Sequence, residues 1–208
     1  MIATPSTIPQ LENGDRLNQA EFERRYSAMP HLKKAELING IVYMASPLRI
    51  DQHGEPHALV LNWLGFYQAY HDNLQLGDNC TVRLDPQNEP QPDVLLRKRA
   101  GGTSTVSVDG YVEGAPELIV EITASTVSLD LHQKKQMYCR SGVQEYIIWR
   151  VEDEAIDWFE LVNGEYQRLQ PNSAGLLCSN VFPGLQLDHA ALLAGNLAQI
   201  FAVLQQLP

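Results

Sequence analysis

The stretch "LIVEIT", residues 118–123, constrains the fold of this chain more than any other. Six residues dominated by β-branched and aliphatic side chains have the length and composition of a central strand covered on both faces. One of them, Glu121, is nevertheless a carboxylate. A charge in such a place is costly unless it is paired or coordinates a cation. Strand alternation puts Glu121 on the same face as Ile119 and Thr123. Whatever packs on that face has to answer it: an arginine, the donors of a neighbouring loop, or a metal ion.

Two other stretches bear on the answer. In "EPQPDVLLRKR" Asp93 stands at the N-terminal mouth of a second apolar strand, and Arg97, Lys98 and Arg99 follow it. The segment "STVSLDLHQKKQMYCRSG" reads as a helix ended by Gly142. At about 100° per residue, Val127, Leu131, Lys134 and Tyr138 fall on one arc. Lys134 is then on the apolar face, and Lys135 lies on the flank as its solvated neighbour. An inward lysine needs an anion, and Glu121 is the nearest candidate. The alternative is snorkelling, in which the stem packs and the ammonium reaches water.

Two acids and an inward lysine form a chemical set. Hard carboxylate oxygens bind Mg²⁺ incompletely, leaving waters and room for a phosphate. The ion polarises a phosphoryl oxygen and lowers the pKa of a bound water, and a lysine can offset charge developing on the phosphate. The Arg97–Arg99 cluster could contact an anionic polymer running past.

The rest of the chain is mixed α/β. After a loose arm over residues 1–15, residues 16–208 read as a single domain, large enough for a real core without disulfides. "LNQAEFERRYSAMP" offers a helix with Asn18 as N-cap and Glu21 closing a capping box. Asn39-Gly40 and Asn163-Gly164 each mark a hairpin. "EPHALVLNWLGFYQAYH" has helical periodicity through Leu59, Trp63, Phe66, Tyr67 and Tyr70. Residues 100–116 read as a long excursion or lid, "QEYIIWR" as a buried strand, and "ALLAGNLAQIFAVLQQL" as one C-terminal helix. The expected architecture is a mixed β-sheet flanked by helices.

Composition narrows the function classes. The net charge of −10 argues against a whole surface that binds nucleic acid, and leaves room for a locally basic cleft. Cys80, Cys139 and Cys178 are dispersed and form no CxxC pair, so neither a disulfide framework nor a thiolate zinc site is expected. No apolar run reaches membrane-spanning length, and the first residues lack the basic head and apolar middle of a secretory signal, so a cytoplasmic protein is expected. "AGGTST" lacks the lysine of a phosphate-binding P-loop. No nucleophile elbow or dinucleotide fingerprint is present, and no organic cofactor is expected.

Taken in order, "AELINGIVYMASP", "HGEPH", "PQPDVLL", "GAPELIVEITAST", "DLHQKKQMYCRSGVQEYIIW" and "FPGLQL" resemble the PD-(D/E)XK nuclease superfamily. Within it they are similar to the bacterial restriction-endonuclease-like family formerly classed as a domain of unknown function. The resemblance covers roughly residues 16–190 and implies a restriction-endonuclease-like core with Mg²⁺-dependent (or Mn²⁺-dependent) hydrolysis of DNA phosphodiesters. Pro92-Asp93 matches the PD acid and Glu121 the second acid, and the implied metal set is Asp93, Glu121 and the adjoining Ile122. The superfamily lysine two residues after that acid is Thr123 here, and Lys134 on the following helix matches the migrated position. Glu36 matches an acid that opens the first hairpin, where it could complete the site or be an exposed hairpin residue. His53 matches a histidine before the long helix and could approach a phosphate or serve helix entry. Tyr138 could bond a carboxylate or a phosphate, or be core. His57 has no match and reads as packing or surface. Arg150 stands where many relatives carry an acid, which marks a subgroup. Catalytic roles thus fall to Asp93, Glu121, Lys134 and Glu36, and substrate contacts to His53, Arg97, Lys98 and Tyr138.

Three functions compete: a nuclease working as a homodimer, a non-catalytic scaffold that keeps the acids for structure, and a metal-dependent hydrolase of another phosphate ester. The acidic net charge favours the scaffold, because tight DNA binding draws on cationic side chains. The inward Lys134 beside two acids favours catalysis.

Overall fold

The computed structural model describes residues 8–44, 47–124 and 128–205. Its centre is a six-stranded sheet in the order β11-β10-β9-β8-β5-β3, formed by Glu165–Arg168, Ala155–Val162, Glu145–Arg150, Leu118–Thr123, Val94–Lys98 and Leu74–Asp78. Within this sheet β8 and β9 run parallel and the other pairs are antiparallel. A parallel pair cannot be closed by a tight turn, and the segment from Leu129 to Ser141 makes the crossover.

β8 is buried along its whole length, as its composition requires. Val94 and Leu96 of β5, Leu118, Val120 and Ile122 of β8, and Ile147 and Trp149 of β9 face one core. That core is closed by α2 (Glu55–Gln68), α4 (His189–Leu193) and α5 (Leu197–Leu204). Leu95, Ile119, Tyr146 and Ile148 face the opposite core, closed by Met137 and Tyr138 of α3 (Lys135–Ser141). Glu121 has the parity of Ile119, so it emerges on the α3 side.

The hairpin of β1 (Ala35–Ile38) and β2 (Ile41–Met44) turns through Asn39 at φ 52° and Gly40 at φ 74°, the left-handed pair that an Asn-Gly turn supplies. The β10–β11 hairpin repeats this at Asn163 and Gly164. α1 (Gln19–Ser27) begins at Asn18, whose Oδ1 accepts the Glu21 N–H at 3.0 Å. The expected capping box is only half made, because the Glu21 carboxylate turns outward to Arg24 and Arg25.

Several expectations are corrected. Residues 100–116 form no separate lid: β6 (Thr105–Val106) and β7 (Val112–Glu113) join β4 (Val82–Arg83) in a three-stranded sheet. Arg83 ties this sheet to α1 through Glu23 at 2.6 Å and to Asp109 at 2.8 Å. The C-terminal helix is two helices, because Gly195 at φ 67° ends α4 and Asn196 caps α5. α5 packs on α2 of its own chain, with Phe201 stacked on Phe66 at 4.6 Å. Tyr70, the last residue of the expected helical periodicity, lies beyond the end of α2 and is 71% exposed. The edge strand β3 had no signal in the sequence, since Gly77 interrupts its apolar alternation. Among the described residues, no helix is long and apolar enough to cross a membrane.

Candidate active site

Two π-helical turns face each other across the α3 side of the sheet. One, Ile50–Gly54, precedes α2, and its wide hydrogen bonds include Gly54 N–H to the Arg49 carbonyl at 3.1 Å. The other, Leu129–Lys134, precedes α3, and the Lys135 N–H returns to the Asp130 carbonyl. Such turns are rare and concentrate at functional sites. Here one carries His53 and the other carries Asp130 and Lys134, all buried.

Asp93 is 3% exposed at the entrance to β5. Its Oδ2 accepts the Ile122 N–H at 2.8 Å and lies 3.1 Å from Nε2 of His53. Its Oδ1 lies 3.1 Å from Nζ of Lys34. Burial raises this carboxyl, but the His53 hydrogen bond and the Lys34 charge overcome it and hold it well below the usual carboxylate range. The surroundings of Asp93 thus favour its charged form.

Glu121 accepts from Lys134 Nζ at 3.0 Å and from the Tyr138 hydroxyl at 2.9 Å, both on Oε1. The same ammonium lies 3.0 Å from Oε1 of Glu36 and 3.6 Å from Oδ1 of Asp130. Glu36 is held in turn by the Gln91 N–H at 2.8 Å. Burial opposes the charge of Lys134, but Glu121, Glu36 and Asp130 overcome it and raise the ammonium well above its ordinary range. Burial pushes Glu121 up to about 8, against the pull of Lys134 and with Asp93, Asp130 and Glu36 adding to the rise. The two shifts describe one state. Four buried carboxylates (Glu36, Asp93, Glu121, Asp130) face two ammoniums (Lys34, Lys134), and burial first, then the neighbouring carboxylates, favour the protonated form of Glu121.

The structure thus brings together Asp93, Glu121, Lys134, Glu36, His53 and Tyr138. They meet around a cavity of about 190 Å³, which all but Tyr138 line together with Lys34 and Asp130. Ile122 joins through its main chain: its N–H orients Asp93, while its side chain is buried in the opposite core and offers no ligand. Val127, the first residue of the expected helical arc, lies outside the described residues. Leu131 of the same arc is only half-buried and Asp130 faces inward, because the backbone is wound as a π turn there.

Arg97 and Lys98, expected as substrate contacts, are not part of the cluster. Arg97 is 4% exposed, and its guanidinium donates to Ser104 Oγ at 3.0 Å, the Ser104 carbonyl at 2.6 Å and Gln75 Oε1 at 2.8 Å. Having the parity of Asp93, it emerges four residues further along the same face of β5, about 13 Å on by strand rise. Lys98 has the opposite parity and reaches over the Phe182 ring. Lys135 is half-buried rather than solvated, with Nζ 3.5 Å from the Phe159 ring centre.

Three contributors were missed. Lys34 shares a strand face with Glu36, and the i, i+2 spacing in "KAE" was a readable sign. Asp130 sits one turn before Lys134. His57 was read as packing or surface, yet its Nε2 lies 3.0 Å from the Asp93 carbonyl oxygen and 3.1 Å from Asp78 Oδ1. Its i, i+4 spacing from His53 brings the ring centres to 5.3 Å.

A mixed sheet flanked by helices, with acids and a lysine converging at one face, defines a nuclease-like fold. One solved structure, from Anabaena variabilis and titled as that of a "putative nuclease belonging to DUF820", matches with a TM-score of 0.62. It is 14% identical and covers 83% of this chain and 97% of its own. The family described as "Uma2: Putative restriction endonuclease" matches residues 19–190, and the chain belongs to that family. Among curated proteins none matches.

Proposed function

We propose that this chain is a Mg²⁺-dependent endonuclease that hydrolyses DNA phosphodiester bonds, with Mn²⁺ able to substitute. The observation that carries the reading is the charge balance of the buried site. With all four ionised, the carboxylates exceed the two ammoniums by two negative charges, the charge of one divalent cation. Hard oxygen donors suit Mg²⁺. Asp93, whose surroundings favour the anion, and Glu121 are the residues that would hold it, with the Ile122 carbonyl as a backbone donor. When bound, Mg²⁺ supplies Lewis-acid polarisation of the scissile phosphate and lowers the pKa of coordinated water.

The chain's own groups do the rest. Glu121, whose carboxyl burial pushes up to about 8, would hold a cation as the carboxylate and so would release a proton on binding it. Lys134, held by Glu36 and Glu121, keeps a positive charge where the phosphate becomes more negative. Tyr138 fixes the Glu121 carboxylate through its hydroxyl. His53 and the Ile122 N–H orient Asp93. Cutting both strands of a duplex calls for two sites, and a homodimer is the simplest arrangement.

A scaffold reading has one observation in its favour. Among the described residues no three His, Cys, Asp or Glu side chains already stand as a metal-binding group, and Lys34 and Lys134 pair with the carboxylates. The deciding experiment follows nicking of plasmid and single-stranded DNA with Mg²⁺ or Mn²⁺ for wild type, Asp93→Ala and Glu121→Ala. Nicking by wild type alone supports the nuclease. No cation binding and no nicking by wild type leaves the scaffold.

A further inference from the structure

We propose that Lys34 is a displaceable internal counter-ion: it holds Oδ1 of Asp93 in the cation-free protein, yields that oxygen to a divalent cation, and then binds the substrate phosphate. The last clause rests on the nuclease reading; the first two do not.

The partners of Asp93 differ in what they can do. On Oδ2, the Ile122 N–H belongs to the backbone of β8, where Ile122 pairs with Trp149 of β9. His53 is buried in its π turn. Oδ1 has Lys34, an ammonium on a flexible four-carbon stem with 21% of its side chain exposed. Of the three, Lys34 alone can leave without disturbing an element of the fold. Oδ1 is therefore the oxygen that becomes available to a cation.

Lys34 also has somewhere to go. Its Nζ already lies 3.3 Å from Oδ1 of exposed Asn79. That residue stands in a left-handed turn at φ 50°, and its N–H is bonded to the Asp93 carbonyl at 3.0 Å. Asn79 thus offers a second acceptor to the ammonium of Lys34, which itself lines the cavity with Glu36, Asp93, Glu121 and Lys134. A positive charge there, opposite Lys134, meets an anionic ligand as it enters. Two lysines then divide the work: Lys134 is fixed among three carboxylates, and Lys34 is mobile.

The test compares Mn²⁺ binding, by calorimetry or electron paramagnetic resonance, in wild type, Lys34→Met, Lys34→Arg and Lys33→Met. DNA binding is measured in parallel with non-cleaving Ca²⁺ across a salt series. Removing the competitor is expected to tighten Mn²⁺ binding by about tenfold or more in Lys34→Met, since a nearby unit charge at the same carboxylate is lost. Lys33→Met makes the same change in net charge at an exposed neighbour and is expected to leave affinity unchanged. Lys34→Arg, which keeps the charge and protects the fold, is expected to weaken Mn²⁺ binding, because a bidentate guanidinium leaves a carboxylate less readily. Lys34→Met should also flatten the log–log salt dependence of DNA binding by about one unit.

Mn²⁺ affinity that is unchanged or weaker in Lys34→Met, or that rises equally in Lys33→Met, overturns the counter-ion role. An unchanged salt slope overturns the phosphate contact. If wild type binds Mn²⁺ but neither binds nor cuts DNA, the nuclease reading fails, and tighter Mn²⁺ binding by Lys34→Met would still support the counter-ion. Absence of Mn²⁺ binding in both proteins overturns it.

Discussion

The ammonium of Lys134 lies 3.0 Å from Oε1 of Glu121, although one residue sits on a π-helical turn and the other inside a strand buried on both faces. Neither charge is tolerable there alone, and each explains the other's burial. The pair also sets the sign of most experiments on this site.

Lys134→Met should stop nicking while leaving divalent-cation binding in place, because the carboxylates remain. Breaking a buried ion network from one side costs roughly 3–5 kcal/mol. Urea unfolding in EDTA should show a loss of that order, largely recovered by Mg²⁺. Lys135→Ala should retain activity and lose about 1 kcal/mol, the scale of its contact with Phe159. The opposite ranking of the two lysines would place the wrong residue in the site.

Cation affinity should depend on pH through Glu121, which burial pushes up to about 8. Below that value a proton must leave before the cation binds, so affinity should rise about tenfold per pH unit and level off above pH 8. Stability of the cation-free protein runs the other way. The folded state holds this proton more tightly than the unfolded state. Stability from this group is therefore full below the ordinary glutamate value of 4.5 and is lost as pH rises to about 8. Calorimetric Mn²⁺ titrations at pH 6, 7 and 8 check the first, and urea midpoints in EDTA check the second.

Arg97→Lys should lower stability without changing the salt dependence of DNA binding. The guanidinium makes three hydrogen bonds to Ser104 and Gln75 that an ammonium cannot reproduce in the same fork. A loss of about 1–3 kcal/mol is expected. A flatter salt slope with unchanged stability would instead mean that Arg97 reaches the polymer.

Gly40→Ala should destabilise the first hairpin. Gly40 has φ 74°, and an added Cβ would stand 3.2 Å from the Leu17 carbonyl oxygen. A left-handed backbone costs an L side chain about 1–2 kcal/mol. Because the hairpin carries Glu36, hydrogen exchange across β1 and β2 should accelerate together with the fall in melting temperature.

Much of the fold was legible because local chemistry determines it. Asn-Gly turns demand left-handed backbone, Gly142 at φ 87° ends α3, and an apolar run of strand length has to be buried on both faces. Asp93, Glu121 and Lys134 were legible for a related reason: a charge inside an apolar pattern needs a partner, and the pattern itself marks it. The same rule applies to Arg97, whose partners lie in its own loop and the neighbouring strand. A cation at the end of a buried strand can turn to its own loop as readily as to a ligand, and Ser104 lies too near in space and too featureless in sequence to be anticipated.

By itself, then, the sequence determined the two hairpins, the central strand and the acids and inward lysine that need one another. Tertiary structure alone decided that Lys34 meets Asp93 across 59 positions, that His57 reaches the Asp93 carbonyl, and that π winding turns Asp130 inward. Periodicity reports which face of an element is buried. Which charges then meet depends on strand order and crossover, and these are settled by packing the two cores of the sheet.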